Sequence, residues 1–159
     1  MSGLNHFDAR GNAIMVDVSQ KPVTERLAVA CGKITMNEAA FEAIKSGTAK
    51  KGDVRNVARI AGIMAAKRTS DTIPMCHPVA LTKCAVDFEL FPDTRSVEAR
   101  CTAGVSSQTG VEMEALCGVS AALLTIYDMC KALDPSMVMG DICLQYKSGG
   151  RSGEFVRAK

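Results

Sequence analysis

The sequence predicts an α+β fold, an antiparallel four-stranded sheet with helices packed on one face, and three observations lead there. Apolar residues alternate with polar ones over 84–90 and 97–101, and alternate positions are apolar again at Leu27, Val29 and Cys31. Val54, Val57, Ala58, Ala61, Met64 and Ala65 recur at three- and four-residue intervals, the period of a helix with one buried face. A long, mostly apolar segment from about Val111 to Leu133 carries charged residues only toward its ends.

Residues 1–16 show little periodicity and are punctuated by Gly3, Asn5, Gly11 and Asn12, the pattern of a flexible arm, with order expected from about Val16. The first strand is expected over Glu25–Ile34. Thr35 with Glu38 resembles a capping box, so a helix should begin there and stop at Gly47. After the basic loop Lys50-Lys51-Gly52, Asp53 is placed to cap a second helix that runs to about Arg68. Pro74 and Pro78 disfavour helix at Ile73 and His77, so 69–80 reads as a loop. Two strands joined by Pro92-Asp93-Thr94-Arg95 make a hairpin with one solvated face. The long helix should stop at Asp134-Pro135, followed by a last strand over Asp141–Lys147. The order βααββαβ is that of a ferredoxin-like sheet, giving one domain over 17–147 and a Gly-rich tail over 148–159.

Composition narrows the function classes. The 159 residues are 47% hydrophobic and 23% charged, with net charge +2, two Tyr, five Phe and no Trp. Near-neutral charge argues against a nucleic-acid footprint, and scarce aromatics argue against base stacking. The longest uncharged apolar stretch, about 13 residues between Glu114 and Asp128, falls short of the ~20 that span a bilayer. Seven cysteines with no C-x-x-C pair suit neither a disulfide framework nor a zinc site, and point to reduced thiols in a cytoplasmic setting. No metal site is expected.

Four groups of residues carry possible chemistry. Cys76 and His77 sit side by side in a proline-anchored loop, which suits a substrate-binding loop as well as a backbone-bonded histidine; adjacent residues on an extended chain point apart, so a nucleophilic pair is disfavoured. Asp128 and Lys131 share a helix face at i, i+3: a surface ion pair, or, if partly buried beside Tyr127 and Met129, a proton-shuttling pair. Glu112 and Glu114 flank Met113 in a first helical turn, where they favour the helix dipole and are also able to accept from ring N–H groups of a purine or pterin. Lys147-Ser-Gly-Gly lets backbone amides approach an anion but lacks the Walker spacing, and a solvated tail explains it equally.

Taken together these segments resemble the cyclic pyranopterin monophosphate synthase family of molybdenum cofactor biosynthesis. The matching blocks are Met15-Val-Asp-Val-Ser with Lys21, Thr24 and Arg26; Lys51-Gly-Asp-Val; Ala58-Arg-Ile-Ala-Gly-Ile through Ala66-Lys67-Arg68-Thr69; and Ile73-Pro-Met-Cys-His-Pro78. Thr109-Gly-Val-Glu-Met-Glu-Ala-Leu116, Thr125-Ile-Tyr-Asp-Met-Cys-Lys-Ala132 and Lys147-Ser-Gly-Gly complete the set in order over nearly the whole chain. Thr72 and Met75 stand where the family pattern has Leu, Gln145 and Tyr146 are less typical before Lys147, and the cysteines outside the blocks read as core substitutions.

The resemblance implies a lyase that converts 3′,8-cyclo-7,8-dihydro-GTP to cyclic pyranopterin monophosphate and releases pyrophosphate. It implies a homohexamer, a trimer of dimers, with the active site at a dimer interface. Asp128 and Lys131, with Lys51, correspond to the catalytic groups; Met75, Cys76, His77, Glu112, Met113 and Glu114 to substrate contacts; and Arg26, Lys67 and Lys147 to cations for the triphosphate. It implies no resident cofactor, with a divalent cation beside the phosphates left open. The alternative from another class is a ferredoxin-like oligomeric module that binds a nucleotide without turning it over.

Overall fold

The structure, a computed structural model, describes residues 7–8, 10–49, 52–151 and 153–158. In chain order it comprises β1 (Thr24–Thr35), α1 (Glu38–Ser46), α2 (Val54–Lys67), the single turn α3 (Thr69–Thr72), β2 (Lys83–Phe91), β3 (Ser96–Ser107), α4 (Glu112–Cys130), β4 (Val138–Ser148) and β5 (Phe155–Val156). The strands form one antiparallel sheet in the order β2-β3-β1-β4-β5. That is five strands, not the four expected. The extra strand comes from the glycine-rich segment: Gly149 and Gly150, at φ 95° and 74°, turn the chain back so that Phe155 and Val156 pair with Lys147 and Tyr146. Only glycine tolerates two consecutive left-handed residues without strain, so the composition that reads as a loose tail also permits a tight reversal.

The sheet's helix-covered face is built from small residues. Ala28, Ala30 and Ile34 of β1 and Val97, Ala99, Cys101, Ala103 and Val105 of β3 are buried beneath Ala115, Val119, Ala122, Leu123 and Ile126 of α4. A Cβ at Gly32 would meet Val119 and Leu123 at 2.9 and 3.0 Å, which places that strand position directly under α4. Leu27, Val29 and Cys31, the alternating residues that mark this strand in the sequence, therefore face the opposite side, which no helix among the described residues covers. Larger residues would hold α4 off the sheet, so the smaller set of the two lies beneath it. The same economy governs the α2–α4 contact. A Cβ on Gly62 would come within 2.8 Å of the Gly118 carbonyl, and one on Gly118 within 3.3 Å of the Gly62 carbonyl.

Helix starts follow the expected chemistry at one position and depart from it at another. Asp53 caps α2 through the Asn56 amide at 3.1 Å. The cap of α1 is Asn37, which accepts from the Ala40 amide at 2.9 Å, and not Thr35. Thr35 is the last residue of β1, paired with Ser96 and Val138, so its backbone is committed to the sheet. Gly47, at φ 72°, ends α1 as expected.

By length and composition α4 is apolar enough to cross a membrane. Its buried residues sit against β1, β3 and α2, which is the environment of a core helix.

Candidate active site

At its first turn α4 receives charges from three directions. Glu112 Oε1 lies 2.9 Å from Lys147 Nζ, an ion pair with both side chains about two-thirds or more covered. Arg26 reaches the same end from β1, donating from Nε to the Ser107 carbonyl at 3.4 Å and from its terminal nitrogen to the Gln108 carbonyl at 3.3 Å. The Gly149–Gly150 turn packs against this guanidinium so closely that a Cβ on Gly150 would overlap it, and a Cβ on Gly110 would likewise overlap the Glu112 carboxylate. Glycine at these positions is what lets the backbone close around two charged side chains.

Glu114 is buried at 3% exposure in the first turn of α4. Burial, reinforced by the charge of Glu112, raises its pKa above the ordinary carboxylate value. Cys76 lies beside it. Its thiol is pushed up by burial and by the Glu114 and Cys117 charges. Met75, Cys76 and His77 are all half-buried in the loop after α3, and Met113 is exposed on α4's first turn. His77 Nε2 is 2.7 Å from the Val16 carbonyl, so the histidine loop is held to the segment preceding β1. Lys67 ends α2 and lines a hollow of about 340 Å³ with Val79–Cys84.

Asp128 and Lys131 occupy the other end of α4. Their oxygen and nitrogen are 2.6 Å apart and the side chains are 61% and 52% exposed, so of the two arrangements the sequence left open the protomer shows the surface ion pair. The reason is position: Ile126 and Cys130 turn toward the sheet and leave the Asp128 face of the last turn outside. The hydrogen bond that Lys131 donates to Asp128 raises the Lys131 pKa, so Lys131 is held as an ammonium and not as a neutral base. Sixteen residues separate Glu112 from Asp128, about 24 Å at ~1.5 Å per residue. Lys51 lies outside the described residues.

The protomer thus brings together Arg26, Glu112 and Lys147, and separately Cys76 and Glu114 close by, while it keeps Asp128 and Lys131 a helix length away. The carbonyls of Ser107 and Gln108 and the backbone of Val16 were not legible as participants. Their roles depend on the β1–β3 register and on a side chain reaching 61 residues back, neither of which leaves a local pattern. Among the described residues no group of three or more His, Cys, Asp or Glu is gathered as a metal ion would require.

The MoaC family model matches residues 15–150. The chain belongs to this family. It is 60% identical over 152 residues to a cyclic pyranopterin monophosphate synthase of Clostridium botulinum (strain Alaska E43 / Type E3), covering 96% of each chain. It is 57% identical, again over 152 residues and 96% of each, to proteins of the same name from Clostridium perfringens strains 13 and SM101. The family match takes in both ends of α4, from the Arg26–Glu112–Lys147 group to the Asp128–Lys131 pair.

Proposed function

We propose that this chain is a lyase that converts 3′,8-cyclo-7,8-dihydro-GTP to cyclic pyranopterin monophosphate with release of pyrophosphate, an early step of molybdenum cofactor biosynthesis. The observation that carries the reading is that the family-matching residues form two chemically different groups, at opposite ends of one helix, in a chain of this family. Cations with two glutamates suit a phosphorylated purine derivative, and a carboxylate–ammonium pair suits proton transfer.

Arg26, Lys67 and Lys147 are assigned to the triphosphate. Rearrangement expels pyrophosphate, whose leaving oxygens need cations in place before the bond breaks. Glu112 holds Lys147 in position until the phosphates replace it. Glu114, whose burial favours the protonated carboxyl, offers both a donor and an acceptor to the ring edge, with Met75, Cys76, His77 and Met113 closing around the ring. Asp128 keeps Lys131 protonated, so Lys131 delivers a proton or stabilises developing negative charge, and Lys51 is assigned as a further acid or base.

Both groups have to reach one small substrate molecule, which a separation of about 24 Å opposes within a protomer; the Asp128 end of one subunit is therefore assigned to the Glu112 end of another. A homohexamer arranged as a trimer of dimers meets this requirement, and Val57, Ile60 and Met64 of α2 with Leu124 of α4, all exposed, offer apolar surface for a second copy. The ferredoxin-like class is supported by the order β2-β3-β1-β4. No cofactor, nucleic acid or membrane is invoked, and the reaction is placed in the cytoplasm.

The test supplies the enzymatically generated cyclised precursor and measures pyrophosphate and pterin together. Stoichiometric release of both is expected; binding of the precursor with no release overturns the lyase reading in favour of a nucleotide-binding module. A strict monomer in light scattering that still turns over overturns the shared site.

A further inference from the structure

On the helix-free face of the sheet, Cys31 of β1 and Cys143 of β4 stand directly opposite in register, with their sulfurs 3.9 Å apart. Two irregularities frame them. On one side Asp141, at φ 54°, and Ile142 stand against Gly32 alone, and Ile142 fills the space that glycine leaves. On the other, Gln145 is the extra residue between Leu144, paired with Ala30, and Tyr146, paired with Val29. A bulge of this kind re-aims a side chain. Here it turns the Gln145 amide onto the cysteines, its Nε2 donating to Cys31 Sγ at 2.9 Å and to Cys143 Sγ at 3.2 Å. A donor shared by two sulfurs favours electron density on them. None of these residues belongs to either end of α4.

We propose that Cys31 and Cys143 form a reversible cross-strand disulfide by exchange with a low-molecular-weight disulfide, and that this pair is a thiol-modification site separate from the catalytic one. Directly opposite residues of an antiparallel pair have Cα atoms about 4.5 or 5.5 Å apart, within the ~4.4–6.8 Å that a disulfide spans, so closure needs side-chain rotation only. Cys143 is the more exposed of the two and attacks first; Cys31, at 6% exposure, is shielded from the external disulfide but not from its neighbour. Burial also pushes the Cys31 thiol up, which disfavours Cys31 as the first nucleophile. The Cys143 thiolate displaces one glutathione thiolate from oxidised glutathione and forms a mixed disulfide. The Cys31 thiolate then attacks the Cys143 sulfur and displaces the second glutathione thiolate. Two protein thiols are oxidised, one glutathione disulfide is reduced to two thiols, and the two protein protons leave with them.

The experiment equilibrates the full-length protein in glutathione redox buffers, quenches in acid, denatures, alkylates and measures intact mass with peptide mapping. Of seven cysteines, two enter the bond, so 7 − 2 = 5 alkylated thiols and a Cys31–Cys143 cross-linked peptide are expected, with seven restored by dithiothreitol. The Cys31→Ser variant should accumulate glutathione on Cys143, because the resolving thiol is gone, whereas Cys143→Ser should leave Cys31 unmodified. Seven alkylated thiols in the most oxidising buffer, a stable glutathione adduct on Cys143 in the parent, or linkage of a different pair would each overturn the proposal. If a serine variant fails to fold, the parent's peptide map decides alone.

Discussion

Mixing two inactive variants should restore activity if opposite ends of α4 from different subunits share one site. Groups that act on one small substrate must each come within hydrogen-bond reach of it, ~2.6–3.2 Å, yet Glu112 and Asp128 are separated along the helix by about 24 Å. Take Asp128→Ala, which removes the partner 2.6 Å from Lys131, and Lys147→Ala, which removes the partner 2.9 Å from Glu112. Each alone should lose roughly 100-fold or more in turnover. Co-expressed at equal levels, half of all dimers contain one subunit of each kind. Such a dimer holds one site carrying both lesions and one carrying neither. A quarter of all sites are then intact, so the mixture should run at about one quarter of the parent rate, roughly 25-fold above either variant. The assay is pyrophosphate release from the cyclised precursor. Asp128→Ala mixed with Lys131→Ala is the control, because both residues come from the same end and every mixed site is damaged. Equal rescue in the control, or no rescue of Asp128→Ala by Lys147→Ala, refutes the shared site.

Gly62→Ala should destabilise by about 1–3 kcal/mol in urea unfolding, although alanine is the better helix former by under ~1 kcal/mol, because the new methyl meets the Gly118 carbonyl and Val86 at 2.8 and 3.0 Å. An unchanged midpoint would mean that α2 and α4 pack less closely than described. Asn37→Ala should cost about 1 kcal/mol by removing the acceptor of the Ala40 amide, while Thr35→Ala, which touches no cap, should not disturb α1. Glu114 supplies a pH signature. Its raised folded-state pKa means that its contribution to stability is complete below the ordinary value of 4.5 and is lost as pH rises through the folded value. The melting temperature of Glu114→Gln should therefore gain on that of the parent from acid toward neutrality, and a difference independent of pH would contradict the burial argument.

The helices were legible where local chemistry decides them. Asp53 caps, Gly47 stops, and the spacing from Val54 to Ala65 marks a buried face without reference to any partner. The errors fall where distant segments decide. Thr35 has the residue type of a cap, but β3 and β4 pair with it on both sides and hold it in the strand. Leu27, Val29 and Cys31 announce β1 correctly, yet which of its faces α4 covers depends on how closely a helix of Ala, Gly and Val can approach, and that favours Ala28, Ala30 and Gly32. The fifth strand was hidden because glycine-rich sequence encodes freedom of direction, and only the exposed edge of β4 gives that freedom a use.

The same distinction applies to the site. Residue type singles out Asp128 with Lys131 and Glu112 with Glu114, since i, i+3 and i, i+2 relations within one helix are written in the numbering. It says nothing of the 24 Å between the pairs, which becomes significant only once both are assigned to one substrate. A net charge of +2 conceals the arrangement further, because Lys147 is balanced by Glu112 and Lys131 by Asp128, while Arg26 is held by the Ser107 and Gln108 carbonyls. Those carboxylates have a physical task in the absence of substrate: if the proposed assembly brings both ends together, unopposed cations there would repel one another and oppose it. An anionic substrate that takes over the carboxylate's place on Lys147 then exchanges one ion pair for another, so the protein need not pay for separated charge before it binds.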